Sequence, residues 1–380
     1  MRNFSLEIIR QTQKKSRLSG RWEIGLIVYG SLLLILAALA LFQIKKTEYT
    51  KYSAQNGNNA VLLFSCFLVY FLMIFKAPFS GDYSRYANNF LDSVNKSISF
   101  YWERNMEAGF YILTKLIGKL HYSIFFYFAV TSAFLCISLF FFLKRYAWSK
   151  KYAIYFYYTI GLFAFSMAGL RQVLAMSVCL FAYEAARRRK LLPFLLLVGS
   201  AYFLHKSALF FLPAFLIARV PWKTKYHLVI LGVYGVIGLL FQRLYTWIAD
   251  WMNYDYVIES TKNGGIFLAI LLVIAFLGIV YREKLMAADP DNLFFLNMHF
   301  AVILLWIFRM FTRTAERPAF YYLYASIILL DRILSLKSNG EEEERIRKCL
   351  VLLSVIFFGI FFLYRTLRDG NLVPYIWILS

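Results

Sequence analysis

The sequence is poor in charge and lacks the motifs of soluble nucleotide-dependent enzymes and of serine hydrolases. Only 17% of its 380 residues are charged, whereas a soluble domain of this length carries more charge and less apolar bulk. The sequence contains no phosphate-binding P-loop, no Rossmann glycine pattern and no nucleophile elbow. These absences argue against the soluble folds that use such motifs.

Cysteine and histidine are also scarce, with four of each. All four cysteines lie inside apolar runs, which predicts small core residues rather than disulfides or metal ligands. They are Cys66, Cys136, Cys179 and Cys349. No other histidine lies at ligand spacing from His205. We therefore expect neither a metal nor a cofactor.

Apolar residues dominate instead, at 61% of the chain, and the mean hydropathy is +0.58. Apolar runs recur along the whole chain, and about 20 residues at 1.5 Å each cross the core of a bilayer. Backbone groups in hydrocarbon must pair within their own segment, so such runs form helices. The sequence predicts an all-α, polytopic transmembrane bundle of about 12 spans. The predicted spans are roughly 24–44, 60–76, 122–143, 152–168, 171–187, 191–205, 207–220, 227–247, 264–281, 293–309, 318–335 and 348–364.

The formal net charge of +21 does not indicate nucleic acid, because the cations form short clusters between apolar runs. Such clusters follow from the positive-inside rule and from attraction to anionic lipids. We therefore place five of these basic clusters in the cytoplasm. They are Lys144/Arg145/Lys150/Lys151, Arg187–Lys190, Arg219/Lys223/Lys225, Arg282/Lys284 and Arg345/Arg347/Lys348.

The chain then crosses the membrane an even number of times between consecutive clusters, and the 77–121 segment precedes the crossing into the first cluster at Lys144. Four polar stretches are thereby placed on the outer side. They are Asp82/Arg85, Arg171/Gln172, His205/Lys206 and Arg309/Arg313/Arg317. Residues 24–380 are predicted to form one transmembrane domain with a long extracytoplasmic loop at 77–121. We expect the four stretches to converge on one pocket facing away from the cytosol.

The N-terminal tail, residues 1–23, fits this topology less well, since the same count places it outside although it is basic. One solution is that 107–121 also crosses the membrane. The other is that the tail lies along the cytoplasmic surface or the interface as an amphipathic piece. Lys115 and Lys119 make 107–121 a poor span, which favours the second.

Arg171 is the first candidate site residue. An arginine within an apolar helix costs several kcal/mol by insertion scales, so it usually faces a cavity or an anion. Its planar fork of donors suits phosphate oxygens, and Gln172 adds amide contacts. The alternative is an arginine that reaches the outer head groups.

His205, followed by Lys206, is the second candidate, because a histidine exchanges a proton near neutral pH or binds an anion as imidazolium. A packed or interfacial histidine is the alternative. Asp82 is a candidate base, with Tyr83 and Tyr86 stacking on sugar rings, although Asp82 and Arg85 also fit a simple helix pair. Glu107 precedes an amphipathic helix, where it is either a catalytic carboxylate or a favourable end charge.

Arg309, Arg313 and Arg317 recur at four-residue spacing. On one helix they would form a cationic stripe for a diphosphate, and otherwise they form a charged connector paired with Glu316. Asp289-Pro290-Asp291 has the form of a metal-binding DxD motif, but it falls in a predicted cytoplasmic turn.

Several of these motifs, in this order, resemble the EpsG family, a branch of the Wzy-type polysaccharide polymerases. They are Gly81-Asp82-Tyr83…Tyr86, Met106–Phe110, Gly169-Leu170-Arg171-Gln172…Ala175, Phe203–Leu209, Arg313…Arg317…Tyr321 and Pro374-Tyr375. Ser80-Gly81-Asp82 stands where the family often has Gly-Thr-Asp, and the basic tail is unusual.

The resemblance implies a GT-C-like glycosyltransferase of the bacterial inner membrane that acts at the extracytoplasmic face. Its substrates would be repeat units linked to undecaprenyl diphosphate, polymerised into exopolysaccharide, capsule or O-antigen. A chain-length regulator and a flippase of the same pathway are the implied partners, together with membrane lipids. Arg171, Arg313 and Arg317 would bind the diphosphate, and Asp82, Glu107 or His205 would handle the proton.

Two alternatives remain for the function. An O-antigen-type ligase uses the same donor and moves the glycan to another acceptor. A flippase or transporter of lipid-linked sugars would carry its ionisable groups near the middle of the membrane, often between repeated halves. No such repeat is detectable in this sequence.

Overall fold

The computed structural model describes residues 22–42, 59–78, 81–93, 96–103, 107–218, 220–221, scattered positions in 240–251, 264–310, 315–368, 372–373 and 375–378. Over these residues the protein is helical, with no strand beyond one isolated bridge between Lys76 and Trp377.

The helices of the first half are α1 (Trp22–Phe42), α2 (Asn59–Ile74), α3 (Gly81–Ser93), α4 (Ile98–Glu103), α5 (Ala108–Leu120), α6 (Ile124–Tyr146), α7 (Lys150–Thr159), α8 (Leu162–Ser166) and α9 (Leu170–Arg187). The second half contains α10 (Leu191–Leu204), a 3₁₀ helix (Lys206–Phe211), α11 (Ala214–Ile217), α12 (Gly265–Val280), α13 (Arg282–Ala288), α14 (Asn292–Arg309), α15 (Glu316–Leu334) and α16 (Glu341–Thr366).

By length and composition, four of the described helices are able to cross a membrane. They are Glu23–Phe42 of α1, together with α6, α14 and α16. A fifth is added if α12 and α13, which are bent by 67° at their junction, form one broken span. The all-helical class and the multi-pass membrane character are thereby confirmed, while the number of about 12 spans and the GT-C-like architecture stay predictions.

Most predicted spans fall on these helices within a few residues, whereas most of 227–247 lies outside the described residues. Two predicted spans are broken. Span 152–168 divides into α7 and α8 around Gly161, whose φ of 117° lies in the left-handed region. Span 207–220 divides into the 3₁₀ helix and α11 beside Pro213, which has no N–H to continue a helix.

The chain forms two compact units. The first comprises Met1–Ser177 with Lys337–Ser380, and the second comprises Val178–Leu336. In the first unit α2 packs along α6, and α1 packs against α7 and α16. Buried tyrosines tie these helices together, since the Tyr158 hydroxyl donates to the Tyr29 carbonyl at 2.9 Å and the Tyr155 hydroxyl to the Val355 carbonyl at 2.5 Å.

The C-terminal segment 375–378 closes the first unit against the end of α2. The Ala77 N–H donates to the Ile376 carbonyl at 2.7 Å, and the Ile378 N–H donates to the Phe75 carbonyl at 2.8 Å. The Tyr375 hydroxyl donates to the Leu72 carbonyl at 3.0 Å. These bonds fix the end of α2 just before α3 begins.

The second unit is built around α14 and α15, with α12 packed against both. His299 of α14 is fully buried and joins the three helices. Its Nδ1 lies 2.7 Å from Ser326 Oγ of α15, and its Nε2 lies 2.9 Å from the Leu271 carbonyl of α12. A histidine held on both ring nitrogens in this way stabilises the packing.

The Asp289-Pro290-Asp291 segment lies in the turn between α13 and α14. Asp289 and Arg332 form a buried ion pair at 3.6 Å, with side chains only 4% and 5% exposed. Arg332 also donates to Asn292 Oδ1 at 2.8 Å. Asp291 accepts from Arg187 at 2.7 Å. Both aspartates of this segment are therefore engaged in ion pairs.

Candidate active site

Arg171 and Glu107 meet in the first unit although 64 positions separate them in the chain. Arg171 is the second residue of α9, and Glu107 directly precedes α5, so both lie at helix N-termini. The Arg171 guanidinium donates to a Glu107 carboxylate oxygen. Glu107 is 9% exposed, whereas Arg171 is 30% exposed. The carboxylate is thus covered, and part of the arginine stays open to a ligand.

Tyr86 of α3 lies beside the same guanidinium, close enough for the two groups to interact. Burial raises the pKa of Tyr86 above its ordinary value, and the positive charge of Arg171 opposes this only in part. Tyr86 is therefore a neutral phenol at physiological pH. A neutral phenol beside a guanidinium keeps its own proton available for donation.

Aromatic rings form the walls around this pair. The Arg171 guanidinium lies 6.0 Å from the ring centroid of Phe110, and Phe110 meets Tyr86 edge to face at 6.0 Å. Next to Phe110 on α5, Tyr111 stacks on Tyr101 of α4 at 3.9 Å. These buried contacts fix the beginning of α5, and with it Glu107.

Tyr83 lies one turn before Tyr86 but in a different environment. Its ring is 1% exposed and stacks on Phe128 of α6 at 4.1 Å, and its hydroxyl donates to the Met73 carbonyl at 3.2 Å. A ring with both its face and its hydroxyl occupied cannot also stack on a sugar. The structure gives Tyr83 a packing role that orients α3, in place of the predicted sugar contact.

Asp82 and Arg85 form the helix pair that was the alternative interpretation, at 3.4 Å. Their side chains are 41% and 80% exposed, so solvent weakens the attraction between them. Asp82 remains an accessible carboxylate on the same short helix as Tyr86. The structure thus brings the elements of two predicted stretches, Asp82/Arg85 and Arg171/Gln172, together. Gln172 itself is buried, at 1% exposure.

In the second unit, the 3₁₀ helix that follows His205 packs against α15, which carries Arg317. His205 is 3% exposed and has extended backbone between α10 and the 3₁₀ helix, where a turn was predicted. Two residues later, Ser207 Oγ lies 3.1 Å from the Tyr321 hydroxyl of α15. Arg317 lies one helical turn before Tyr321. Lys206 is half-buried.

The three arginines at four-residue spacing do not form a single helical stripe. Arg309 is the last residue of α14, and α15 begins only at Glu316. Arg309 instead pairs with Glu316 at 3.3 Å. The connector interpretation is correct for Arg309, and the stripe on one helix is wrong. Arg313 lies outside the described residues, and convergence of all four stretches on one pocket stays a prediction.

Two features of the first unit were not predicted from the sequence. One is the pairing of Glu107 with Arg171. Because the two residues are far apart in the chain, no local sequence pattern indicates that they pair. The other is Arg365 of α16, whose guanidinium contacts Gly161 at the break between α7 and α8. A Cβ at Gly161 would come too close to this guanidinium, so the end of the arginine side chain would have to shift. Among the described residues, no three or more His, Cys, Asp or Glu side chains are grouped so as to hold a metal ion.

Comparison with curated proteins and with solved structures finds no match. The model of the EpsG family matches residues 59–377, which include every site residue named above. This match confirms the resemblance read from the motifs. Such a family indicates a membrane protein of the polysaccharide polymerase type that uses a lipid-linked saccharide. The chain belongs to the EpsG family.

Proposed function

We propose that this protein is a metal-independent glycosyltransferase of the bacterial inner membrane. It polymerises oligosaccharide repeat units linked to undecaprenyl diphosphate, at the extracytoplasmic face. The observation that carries the proposal, beside the family, is the partly exposed Arg171 held by the covered Glu107. A cation fixed by a buried carboxylate, with 30% of its side chain still exposed, suits a phosphate ester.

The chemistry is a substitution at the anomeric carbon of the donor sugar. The acceptor hydroxyl oxygen forms the new bond to that carbon, and the bond from the carbon to the diphosphate oxygen breaks. The bonding electron pair leaves with undecaprenyl diphosphate, and the hydroxyl proton passes to a base. Negative charge therefore grows on the diphosphate in the transition state, where fixed cations stabilise it more than in the ground state.

Each residue of the first unit has one role in this proposal. Arg171 binds the leaving diphosphate, and Glu107 positions its guanidinium. The neutral hydroxyl of Tyr86 donates to the diphosphate or to a sugar oxygen. Asp82, as the accessible carboxylate, takes the proton from the acceptor hydroxyl. Glu107 suits that task less, because its carboxylate is covered and already accepts from the Arg171 guanidinium.

The candidates of the second unit keep the roles predicted from the sequence. His205 serves as acid, base or phosphate contact. Lys206, Arg313 and Arg317 add positive charge for the diphosphate. These assignments rest on the family motifs and on the proximity of the His205 turn to α15 through Ser207 and Tyr321.

The test uses purified protein in proteoliposomes, supplied with the lipid-linked repeat unit alone. A polymerase lengthens the glycan under these conditions, whereas a ligase or a transporter does not.

We expect Arg171→Lys to lower the rate of polymerisation about 100-fold or more. The ammonium group of lysine lacks the planar fork of donors that would bind the diphosphate as its negative charge develops. Glu107→Gln should lower the rate less, since the amide oxygen still accepts from Arg171.

Arg345→Lys is the matched control, since Arg345 is exposed in the first turns of α16. It should leave the rate unchanged. Normal polymer length with Arg171→Lys at equal protein amounts would rule out the diphosphate role of Arg171. Absence of any polymer with the unmodified protein would rule out the polymerase itself.

A further inference from the structure

Helix α5 has an apolar stripe that no other part of the described chain covers. Ile112, Leu116 and Leu120, spaced four residues apart, are 38%, 54% and 79% exposed. The opposite face of the helix is buried in the first unit through Phe110 and Ile117. Since residues four apart share one face of a helix, the three exposed side chains form a continuous line about 12 Å long.

The position of α5 in the chain places this stripe at a membrane boundary. α6, which is able to cross a membrane, begins at Ile124, only a short turn after Leu120. α6 itself exposes large apolar side chains such as Ile137 and Phe141, at 54% and 51%. α5 is therefore followed directly by a helix whose exposed apolar side chains are of the kind that lipid tails cover.

Lysine side chains lie beside the apolar stripe. Lys119 is exposed next to Leu120, and Lys96 is exposed in the turn before α4. Lys115 Nζ donates to the Lys96 carbonyl at 2.5 Å, so this turn is attached to α5. An amphipathic helix with lysines beside its apolar face lies in the plane of the interface and attracts anionic lipids.

We propose that α5 is an interfacial helix, seated in the lipid leaflet on the side of the 77–121 segment. Ile112, Leu116 and Leu120 contact acyl chains, and Lys119 reaches the head groups. A second copy of the chain fits this face less well. Three side chains in one line bury far less than the roughly 800 Å² per partner of a stable protein interface.

The placement has a consequence for the site, which rests on the proposed function. Glu107 precedes the first residue of α5, so a helix fixed in the interface also fixes the depth of Glu107 and of Arg171 bound to it. The pair would then lie at the level of the head groups, where the diphosphate of a lipid-linked donor is found.

The experiment measures depth with a spin label at Leu116→Cys, in the full protein reconstituted into lipid vesicles. Cys349→Ser removes the exposed native thiol, and the other three cysteines are buried. Asn89→Cys, at an exposed polar position of α3, is the matched control. We expect the label at Leu116 to relax faster with oxygen than with a water-soluble nickel chelate, and the label at Asn89 to show the reverse.

Equal exposure of both labels to the nickel chelate would overturn the proposal. Spin–spin broadening at Leu116 that disappears on dilution with unlabelled protein would overturn it in favour of a second copy. Neither readout uses the reaction, so an inactive protein with a lipid-buried label would contradict only the proposed function.

Discussion

Arg171 is held in a position that would be unfavourable for a cation without Glu107. It lies in the first turn of α9, where the unpaired N–H groups carry partial positive charge. Burial of most of the side chain adds a desolvation cost. The covered carboxylate of Glu107 offsets both the repulsion from the helix N-terminus and the desolvation cost. The same geometry makes the place attractive for a second anion, because the helix end and the guanidinium both favour negative charge.

Gly161 is the residue whose replacement gives the sharpest stability prediction. Its φ of 117° is rarely adopted by residues with a side chain, and a Cβ there would collide with the Arg365 guanidinium. We expect Gly161→Ala to lower the free energy of unfolding by about 1–2 kcal/mol or more. The measurement is the midpoint of thermal unfolding in one detergent.

Gly199→Ala provides the control for that measurement. Gly199 lies inside α10, and a Cβ there would have no neighbour within 4 Å. Alanine is a better helix former than glycine by about 1 kcal/mol, so this change should leave the midpoint unchanged or raise it. If both changes lower the midpoint of thermal unfolding equally, the left-handed backbone at Gly161 does not explain the effect of Gly161→Ala.

At the scale of helices, the apolar runs predicted the elements well, because the length of a run and its composition act locally. The pair Asp82/Arg85 and the helix after Glu107 were also predictable, since both depend on neighbours within one turn. The end of α14 at Arg309 could not be predicted from such local patterns. The arginines continue at four-residue spacing beyond the end of this helix, and Arg309 contacts Glu316 at the point where the helix is interrupted.

Packing between distant segments accounts for the rest of what the sequence could not predict. Tyr83 and Tyr86 are three residues apart on one helix, yet one stacks on Phe128 and the other meets Arg171. The period of a helix places both on the same side of α3 but does not identify their partners. The partner of Arg171 is likewise determined by how α5 meets α9, which no local pattern encodes.

The buried pair of Asp289 and Arg332 joins the turn before α14 to α15, and its loss should destabilise the second unit. Arg332→Met leaves a carboxylate buried without its cation, which costs about 3–5 kcal/mol. Adding Asp289→Asn removes that charge and should recover part of the loss. Thermal unfolding of the two variants measures the difference. An exposed pair serves as control, since Arg188→Met beside Glu184 should cost at most about 1 kcal/mol.

A double variant no more stable than Arg332→Met would contradict the interpretation that charge burial dominates. In that case the lost packing of Arg332 on Phe295, whose ring centroid lies 4.6 Å from the guanidinium, would carry the effect.

At the scale of the whole molecule, the unit that holds Glu107 and Arg171 is discontinuous in sequence. Met1–Ser177 is completed by Lys337–Ser380, which contributes α16 and the segment that pairs with the end of α2. The Tyr29 hydroxyl of α1 also donates to the Leu372 carbonyl, at 3.2 Å. The first unit therefore acquires its last contacts only when the C-terminal residues are present.

Removal of residues 373–380 tests this dependence. The deletion removes the carbonyl of Ile376 that accepts from the Ala77 N–H and the Tyr375 hydroxyl that donates to Leu72. We expect amide hydrogen exchange at Ala77 to lose its protection, because its partner is gone and the end of α2 opens locally. Exchange within α14, in the second unit, should not change.

Deletion of residues 379–380 alone is the matched control, since it keeps the paired segment 375–378 and should preserve protection at Ala77. If protection at Ala77 survives the longer deletion, the end of α2 is held by α3 and α6 without the C-terminal segment. If protection is lost in α14 as well, the two units do not unfold independently. Loss confined to the first unit is the outcome that its discontinuous chain path predicts.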